Sequence, residues 1–530
     1  MTKPNSFVSV PKIEAALPGA EPSEQEVRAV FYGLIIVLSL AAIDQSVVAT
    51  ALPRIVQELG GLNHLSWVVT AYVLASTSAM PLYGKLSDQY GRKPVLYGAI
   101  LIFLIGSAFS GLARSLLALI LFRALQDLGA GGLLPLAQTI IGDLVPPARR
   151  GRRQGQIVAV FAVCSVIGPL VGGVITELLS WHWIFYINLP VGAVAFIVIA
   201  RALRRPHPTR ARRIDYLGAL LLTAGITGFL LVLTLGGTEW PWLSPEIGFA
   251  AGAALLCTAL YTLHARNTPE PVLPPELFQS RLFGVAATVL ALTFMGMLGA
   301  SVFFPLFFQV VMGIRPSYSG FLTGPLMIGV VVSSIVNGRL LLRSGRYKPA
   351  QIMGLLIATA SFAVLSWALA TARSLFVIEP AMFAVGLGLG LVTPNMTIAV
   401  QNGLALAHRG VGTATLAFFR SLGGLVGVAG AGAIFSWQMQ RLTQITETPR
   451  TGLRALTHTN LPMATHMLSK APTALIAVYR HAIASIFTTG VGIMGMALIL
   501  IFFLPELPLV ADHAEDRFPS ATSFGRGGSR

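Results

Sequence analysis

Cysteine and charge are both scarce in this chain. Only Cys164 and Cys257 occur among 530 residues, each inside an apolar stretch, so neither a disulfide framework nor a cluster with metal-ligand spacing is available. Charged residues make up 11% against 54% hydrophobic, with a mean hydropathy of +0.74, a balance that excludes the soluble globular classes at this length. No glycine-rich phosphate loop ending in Lys and Ser or Thr is evident, which argues against ATP as a driver. No Ser/His/Asp set or paired-carboxylate site is apparent either, so neither an enzyme nor a bound cofactor is expected. Residues 1–28 carry Pro4, Pro11, Pro18 and Pro22 but no short apolar core with a small-residue cleavage site; they read as a cytoplasmic tail, not a signal peptide.

What is present is a series of fourteen apolar stretches, each long enough to cross a hydrocarbon core of about 30 Å, for which about 20 residues suffice. They run over 29–51, 65–83, 95–113, 115–144, 156–178, 183–203, 214–236, 247–266, 283–311, 319–341, 350–370, 376–400, 411–437 and 482–504. Lys and Arg fall mostly on every second connection, which orients both termini toward the cytoplasm of an inner (plasma) membrane. The net charge of +16 is thereby explained by contact with anionic membrane lipid, and a nucleic-acid partner is not expected.

An internal repeat divides the chain. GKLSDQYGRKP (Gly84 to Pro94) returns in weaker form as GRLLLRSGRYKP (Gly338 to Pro349), with the same spacing between glycines and each copy after the second helix of a six-helix half. The copies lie about one helix pair further apart than six helices require. The expected organisation is a tail (1–28), an N-terminal half (29–203), a basic linker with inserted helices 7 and 8 (204–282), a C-terminal half (283–504) with a long outer loop (438–481), and a cytoplasmic tail (505–530) whose residues 512–530 read as disordered. The fold class is an all-α integral membrane protein of two six-helix halves plus an inserted pair, with a site near the midplane between the halves.

Several polar residues stand out against this background. Gly84, Asp88, Gly91 and Arg92 are placed in a short inner loop between helices 2 and 3, where glycines permit a tight turn and a carboxylate can reach a cation or a helix N-terminus. A cytoplasmic latch and a solvated turn both fit. Asp44 lies in the outer half of helix 1, deep enough that it should face a cavity or bind a proton. Arg123 enters helix 4 by about 12 Å and Asp44 lies roughly 10 Å from its own outer end, so the two are at comparable depth. Asp127, four residues after Arg123, shares its helix face and can pair with it, compete with Asp44 for it, or act as a second acid. Static ion pairs remain an alternative for all three. Gly168, Pro169, Gly172 and Gly173 in helix 5 combine a kink with close helix approach. Arg420 is an intramembrane cation needing a partner or water and, with Gln126, a candidate to bind substrate, while Phe294, Met295, Met297, Phe307 and Gln309 are candidates to line an adaptable apolar pocket.

These segments carry a resemblance. GKLSDQYGRKP resembles the G-x-L-a-D-r-x-G-r-k signature of the major facilitator superfamily. AAIDQSVVATALPRI is similar to the helix 1 signature of its 14-helix drug:proton antiporter branch (the EmrB/QacA type), with Ser46 in place of Thr. RALQDLG resembles R-x-x-Q-G, with Asp127 where Gly is usual, and GPLVGG resembles the antiporter motif, with Cys164 replacing its first Gly. WHWIFYINLPVG (Trp181 to Gly192) and FFRSLGG (Phe418 to Gly424) are similar to further segments of that branch, although the aromatics of the former also fit an interfacial belt. The resemblance implies a secondary transporter exporting amphipathic, often cationic, drugs in exchange for protons, coupled through Asp44 and Arg123, with multidrug efflux and antibiotic resistance as the expected role. It also allows a periplasmic adaptor and an outer-membrane channel as partners. Export of one endogenous metabolite or siderophore, or a non-transporting membrane sensor on the same fold, are the alternatives.

Overall fold

A stretch of about 20 uncharged residues in lipid must satisfy its own backbone, and helix is the only single-segment solution. The computed structural model, which describes residues 23–59, 65–202, 215–236, 240–314, 318, 321–371, 373–405, 408–445 and 473–509, shows fourteen long helices in the order expected. They are α1 (Glu24–Leu59), α2 (Leu65–Tyr90), α3 (Arg92–Ser110), α4 (Leu116–Leu144), α5 (Pro147–Leu178), α6 (Asn188–Ala202), α7 (Tyr216–Leu235), α8 (Pro245–Asn267), α9 (Arg281–Ser301), α10 (Gly324–Ser344), α11 (Lys348–Ala370), α12 (Leu375–Gly403), α13 (Arg409–Ile445) and α14 (Thr473–Ile501). A four-residue turn, Trp183–Tyr186, leads into α6. Beyond α9 the chain continues through Phe303–Leu306 into a π-helical turn, Phe307–Val311. Among the described residues, thirteen helices are apolar and long enough to span a bilayer, and α2, packed among them, completes the set.

Several predicted ends fall short of the observed ones. The basic run at Arg149–Arg153 belongs to the first turns of α5, which starts on Pro147 with its missing N–H placed where no helical partner exists. Helix α13 extends to Ile445 and α14 begins at Thr473, so both ends of the predicted loop 438–481 are helical, while 446–472 lie outside the described residues. Most of each predicted tail and of the basic linker also lies outside them. The physical reason is that hydropathy marks the lipid-buried part of a helix, whereas adding a further residue to an existing helix costs little.

Helices α1–α6 pack around one core and α9–α14 around another. Leu34, Val37 and Leu38 of α1 meet Ile100 and Phe103 of α3 and Leu133 and Ala137 of α4, all fully or nearly fully buried. Outward rows such as Leu117, Leu121 and Leu128 of α4 remain exposed, as expected of a surface whose solvent is lipid. Glycines set the closest approaches. At Gly129 a methyl group would lie 2.5 Å from the Ala99 carbonyl oxygen, and Gly106 sits directly against the Gln126 backbone, so α3 and α4 touch main chain to main chain. Gly106→Leu is therefore expected to lower the thermal midpoint in detergent by several degrees, from overpacking of about 1–3 kcal/mol.

The two halves meet reciprocally: α2, second in its half, packs on α13, fifth in the other, and α10 packs on α5 in the same way. The repeat supplies both contacts. A methyl at Gly84 would sit 2.8 Å from the Gly410 carbonyl oxygen and Val411 Cα; one at Gly338 would sit 2.8 Å from Arg152 N and Cα. Its second glycines, Gly91 and Gly345, have φ of 91° and 62°, the left-handed region that favours glycine. The inserted helices α7 and α8 pack on each other, and α7 also touches α2 and α13, with Ser78 and Thr227 hydroxyls 3.0 Å apart. After α14, Pro505 and Leu507 are tied to the Tyr347 hydroxyl, so the start of the segment expected as a cytoplasmic tail is docked on the α10–α11 turn.

Candidate functional site

Asp44 of α1 is placed where α1 meets α4 and α6. Its carboxylate accepts three side-chain hydrogen bonds of 2.7 Å each: from Arg123 Nη1 on Oδ2, and from Gln126 Nε2 and Asn188 Nδ2 on Oδ1. Ser107 ties the donors together, accepting from Asn188 at 2.9 Å and donating to the Phe185 carbonyl at 2.9 Å. The Arg123 guanidinium lies between the rings of Tyr72 and Phe185, 5.3 and 5.7 Å from their centroids. Its other terminal nitrogen, Nη2, is 3.5 Å from Asp127 Oδ2. Neither Asp127 oxygen has a hydrogen-bond partner, nor does Arg123 Nε. One guanidinium thus stands between two buried carboxylates, one saturated with donors and one almost without.

The cluster is closed in this conformer: Asp44 and Arg123 are 2% exposed, Gln126 and Asp127 fully buried. Gln126, a substrate-binding candidate, has its amide engaged by Arg123, Asp44 and Ser107 in this conformer. Asn188 and Ser107 escaped the sequence reading. Asn188 stood within the quoted WHWIFYINLPVG segment as a polar residue at a helix start, a usable signal, whereas Ser107 is one small hydroxyl in an apolar run and gave none. The aromatics of that segment are only partly an interfacial belt. Trp183 is exposed, but Trp181 and Phe185 are fully buried, and Trp181 Nε1 donates to Glu58 at 2.9 Å.

At the end of the bundle that carries the basic connections, Gly84 and Asp88 are not in a loop as expected. They form the last turns of α2, Gly91 is the single residue between helices, and Arg92 opens α3. Gly91 makes this possible, since its left-handed φ reverses the chain in one residue. Asp88 accepts the N–H groups of Gly410 (3.0 Å) and Val411 (2.8 Å) at the start of α13, where free donors and the helix dipole favour an anion. Arg92 bridges Asp88 and Asp143, its Nε 2.9 Å from Asp143 Oδ2. The half-to-half contact is therefore charged and exchangeable. Asp88→Asn is expected to loosen it, seen as several-fold faster thiol labelling of Ala414→Cys in a background lacking Cys164 and Cys257.

Gly168 of α5 packs on α1, with the Ser46 hydroxyl where a side chain would go. That hydroxyl donates toward the Cys164 carbonyl at 3.2 Å, so the main chain at Cys164 still serves the contact despite its side chain. Gly172 is buried and Gly173 faces open space; Pro169 lies in the same helix. In the other half, Arg420 stands over the Phe294 ring at 5.3 Å, the partner that sequence left unnamed. An apolar cavity of about 160 Å³ opens between α9, α13 and α14, lined by Met295, Gly296, Val426, Ile434 and Ile493 among others. Of the residues expected to line a pocket, Met295 does so, while Phe294 and Met297 flank it outside the lining, since adjacent positions on a helix face different sides. Met297 packs against the Phe303 and Phe304 core, and Gln309 lies in the π-helical turn.

The sequence profile described as Major Facilitator Superfamily matches residues 34–428. Multidrug transporter protein MdtP of Bacillus subtilis is 38% identical over 404 residues, covering 76% of this chain and 74% of that one. Multidrug resistance protein 3 of the same organism is 36% identical over 408 residues, 76% of this chain and 79% of its own. Among solved structures, the proton:xylose symporter XylE matches with a TM-score of 0.57 at 14% identity, covering 92% of this chain and 97% of that one, which speaks for the fold alone.

Proposed function

The chain belongs to the Major Facilitator Superfamily, and on that premise we propose that it exports amphipathic compounds across the plasma membrane in exchange for protons. It is a multi-pass secondary transporter, not an enzyme. The positive-inside rule supports a cytoplasmic side for the basic connections and both termini, and in this reading the Asp88–Arg92–Asp143 contact closes the cytoplasmic end.

The observation that carries the reading is the guanidinium shared by Asp44 and Asp127. An external proton neutralises Asp44, which releases Arg123 Nη1; the guanidinium then turns toward Asp127, whose oxygens are unpartnered. Loss of the proton to the cytoplasm restores the observed arrangement. Since the cluster is sealed here, the cycle requires a second conformer that admits water, reached when the halves rock about the α2–α13 and α5–α10 contacts. One charge moving through 100 mV supplies about 2.3 kcal/mol, enough with a pH gradient to sustain export without nucleotide. The expectation of cationic cargo came from the resemblance, and acids facing a pocket would support it. Asp44 and Asp127 are both turned onto Arg123, which removes that support.

The test is uptake of carboxyfluorescein and rhodamine 6G into inverted vesicles holding the full chain, with the lumen made acidic. Accumulation of at least one dye that collapses with a protonophore is expected. Accumulation indifferent to the gradient, or driven by ATP alone, would sink the proposal.

A further inference from the structure

Arg420 lies 11 residues into α13, about 16 Å along its axis from the basic-loop end and hence near the middle of a hydrocarbon core of about 30 Å. A cation at that depth is retained only where it is paired or faces water. Among the described residues, no carboxylate forms an ion pair with Arg420 and no acceptor takes a hydrogen bond from it. Among the described residues its partner is the Phe294 ring, and the side chain is only half-buried. Every other deep charge described above is compensated: Arg123 by two acids, Arg92 by two more.

The position faces the seam between the halves. On α13, Gly410 and Ala414 pack on Gly84 of α2, and Ala417 and Phe418 form an apolar cluster with Met80 of α2. Gly423 and Gly427 meet the backbone of α9 at Ala291 and Met295. Arg420 is three residues from Ala417 and three from Gly423, which sets its Cβ on the strip between the α2-facing and α9-facing rows. Ser421 approaches Met80 sulfur at 3.9 Å beside it. A fork of guanidinium donors thus stands on an aromatic face, next to thioether and phenyl groups that accommodate varied apolar shapes.

We propose that Arg420 is a cargo-binding residue, and that the cargo it selects is an amphipathic anion: an apolar body carrying a carboxylate, sulfonate or phosphate. The guanidinium holds the anionic head in bidentate fashion, and Phe294, Met80 and Phe418 hold the body. This deepens the export reading and rests on it for the word cargo; the binding itself needs no proton. It also accounts for why an uncompensated guanidinium sits at the inter-half seam while Asp44 and Asp127 of the other half are sealed onto Arg123.

The experiment is equilibrium dialysis of the full chain in nanodiscs against carboxyfluorescein and rhodamine 6G, dyes with a shared xanthene body and opposite charge. The intact protein is expected to bind carboxyfluorescein, Arg420→Gln to weaken it at least about tenfold, and Arg420→Lys to weaken it less, since Lys keeps the charge without the fork. Rhodamine 6G should bind Arg420→Gln no worse than the parent. An unchanged thermal midpoint certifies that each variant is folded, and Phe294→Leu, which keeps the charge but removes the ring, serves as a second probe with an expected several-fold loss for carboxyfluorescein. Equal carboxyfluorescein affinity with and without the Arg420 guanidinium overturns the proposal, as does rhodamine 6G binding that falls with it. Arg420-dependent anion binding in a protein that fails the vesicle test would leave this site standing and remove proton-driven export instead.

Discussion

Vesicles carrying Asp44→Asn are expected to lose gradient-driven uptake by at least about tenfold while still exchanging labelled for unlabelled dye across the membrane. The argument is electrostatic and geometric together. Asn has the shape of Asp and its oxygen can still accept from Asn188 or Gln126, so the α1–α4–α6 contact survives. What disappears is a group able to gain and lose a charge against Arg123, 2.7 Å away. Without that change, no difference in free energy links the proton to either conformer, and a ligand with equal affinity for both states shifts nothing. Exchange requires only that the loaded carrier open to each side. Asp127→Asn should be milder, a slowing of several-fold, because the observed state keeps its Asp44 pairing and only the protonated state loses the acid that receives the guanidinium. If Asp44→Asn transports against a gradient as well as the parent, the coupling acid has been misassigned.

How much of this was legible in the sequence depends on whether a feature is local or relational. Helix number, the two halves and the inserted pair follow from apolar length and from the spacing of two copies of one motif, so they could be read directly. The depth match of Asp44 and Arg123 was also readable, because distance along a helix axis is proportional to residue number. Asn188 was not. Its amide reaches Asp44 only because a short turn, Trp183–Tyr186, seats α6 against α1, and that turn is fixed by burial of Trp181 and Phe185 rather than by any local propensity. The pairing of Arg420 with Phe294 is likewise a property of how α9 and α13 cross. The Gly84–Asp88 segment was mistaken for a loop because its polarity marks departure from lipid, and departure from lipid does not end a helix.

Removing both acids should destabilise the protein by more than the two single changes added together. After Asp44→Asn, Arg123 still has Asp127 at 3.5 Å; after Asp127→Asn it still has Asp44 at 2.7 Å. Each single variant therefore leaves one carboxylate for one buried guanidinium, and a cost of about 1 kcal/mol for a lost hydrogen bond is the expected scale. In the double variant the guanidinium remains buried between Tyr72 and Phe185 with amide oxygens as its only acceptors. Breaking a buried ion pair by deleting one side costs about 3–5 kcal/mol, so the excess over additivity should be about 1–3 kcal/mol. Thermal midpoints in detergent for the four members of the cycle measure it. The triple variant Asp44→Asn, Asp127→Asn, Arg123→Met should recover much of the loss, since no unpaired charge remains inside the bundle. Strict additivity across the cycle would mean that the two acids do not share Arg123, and the exchange of its guanidinium between them would fall with it.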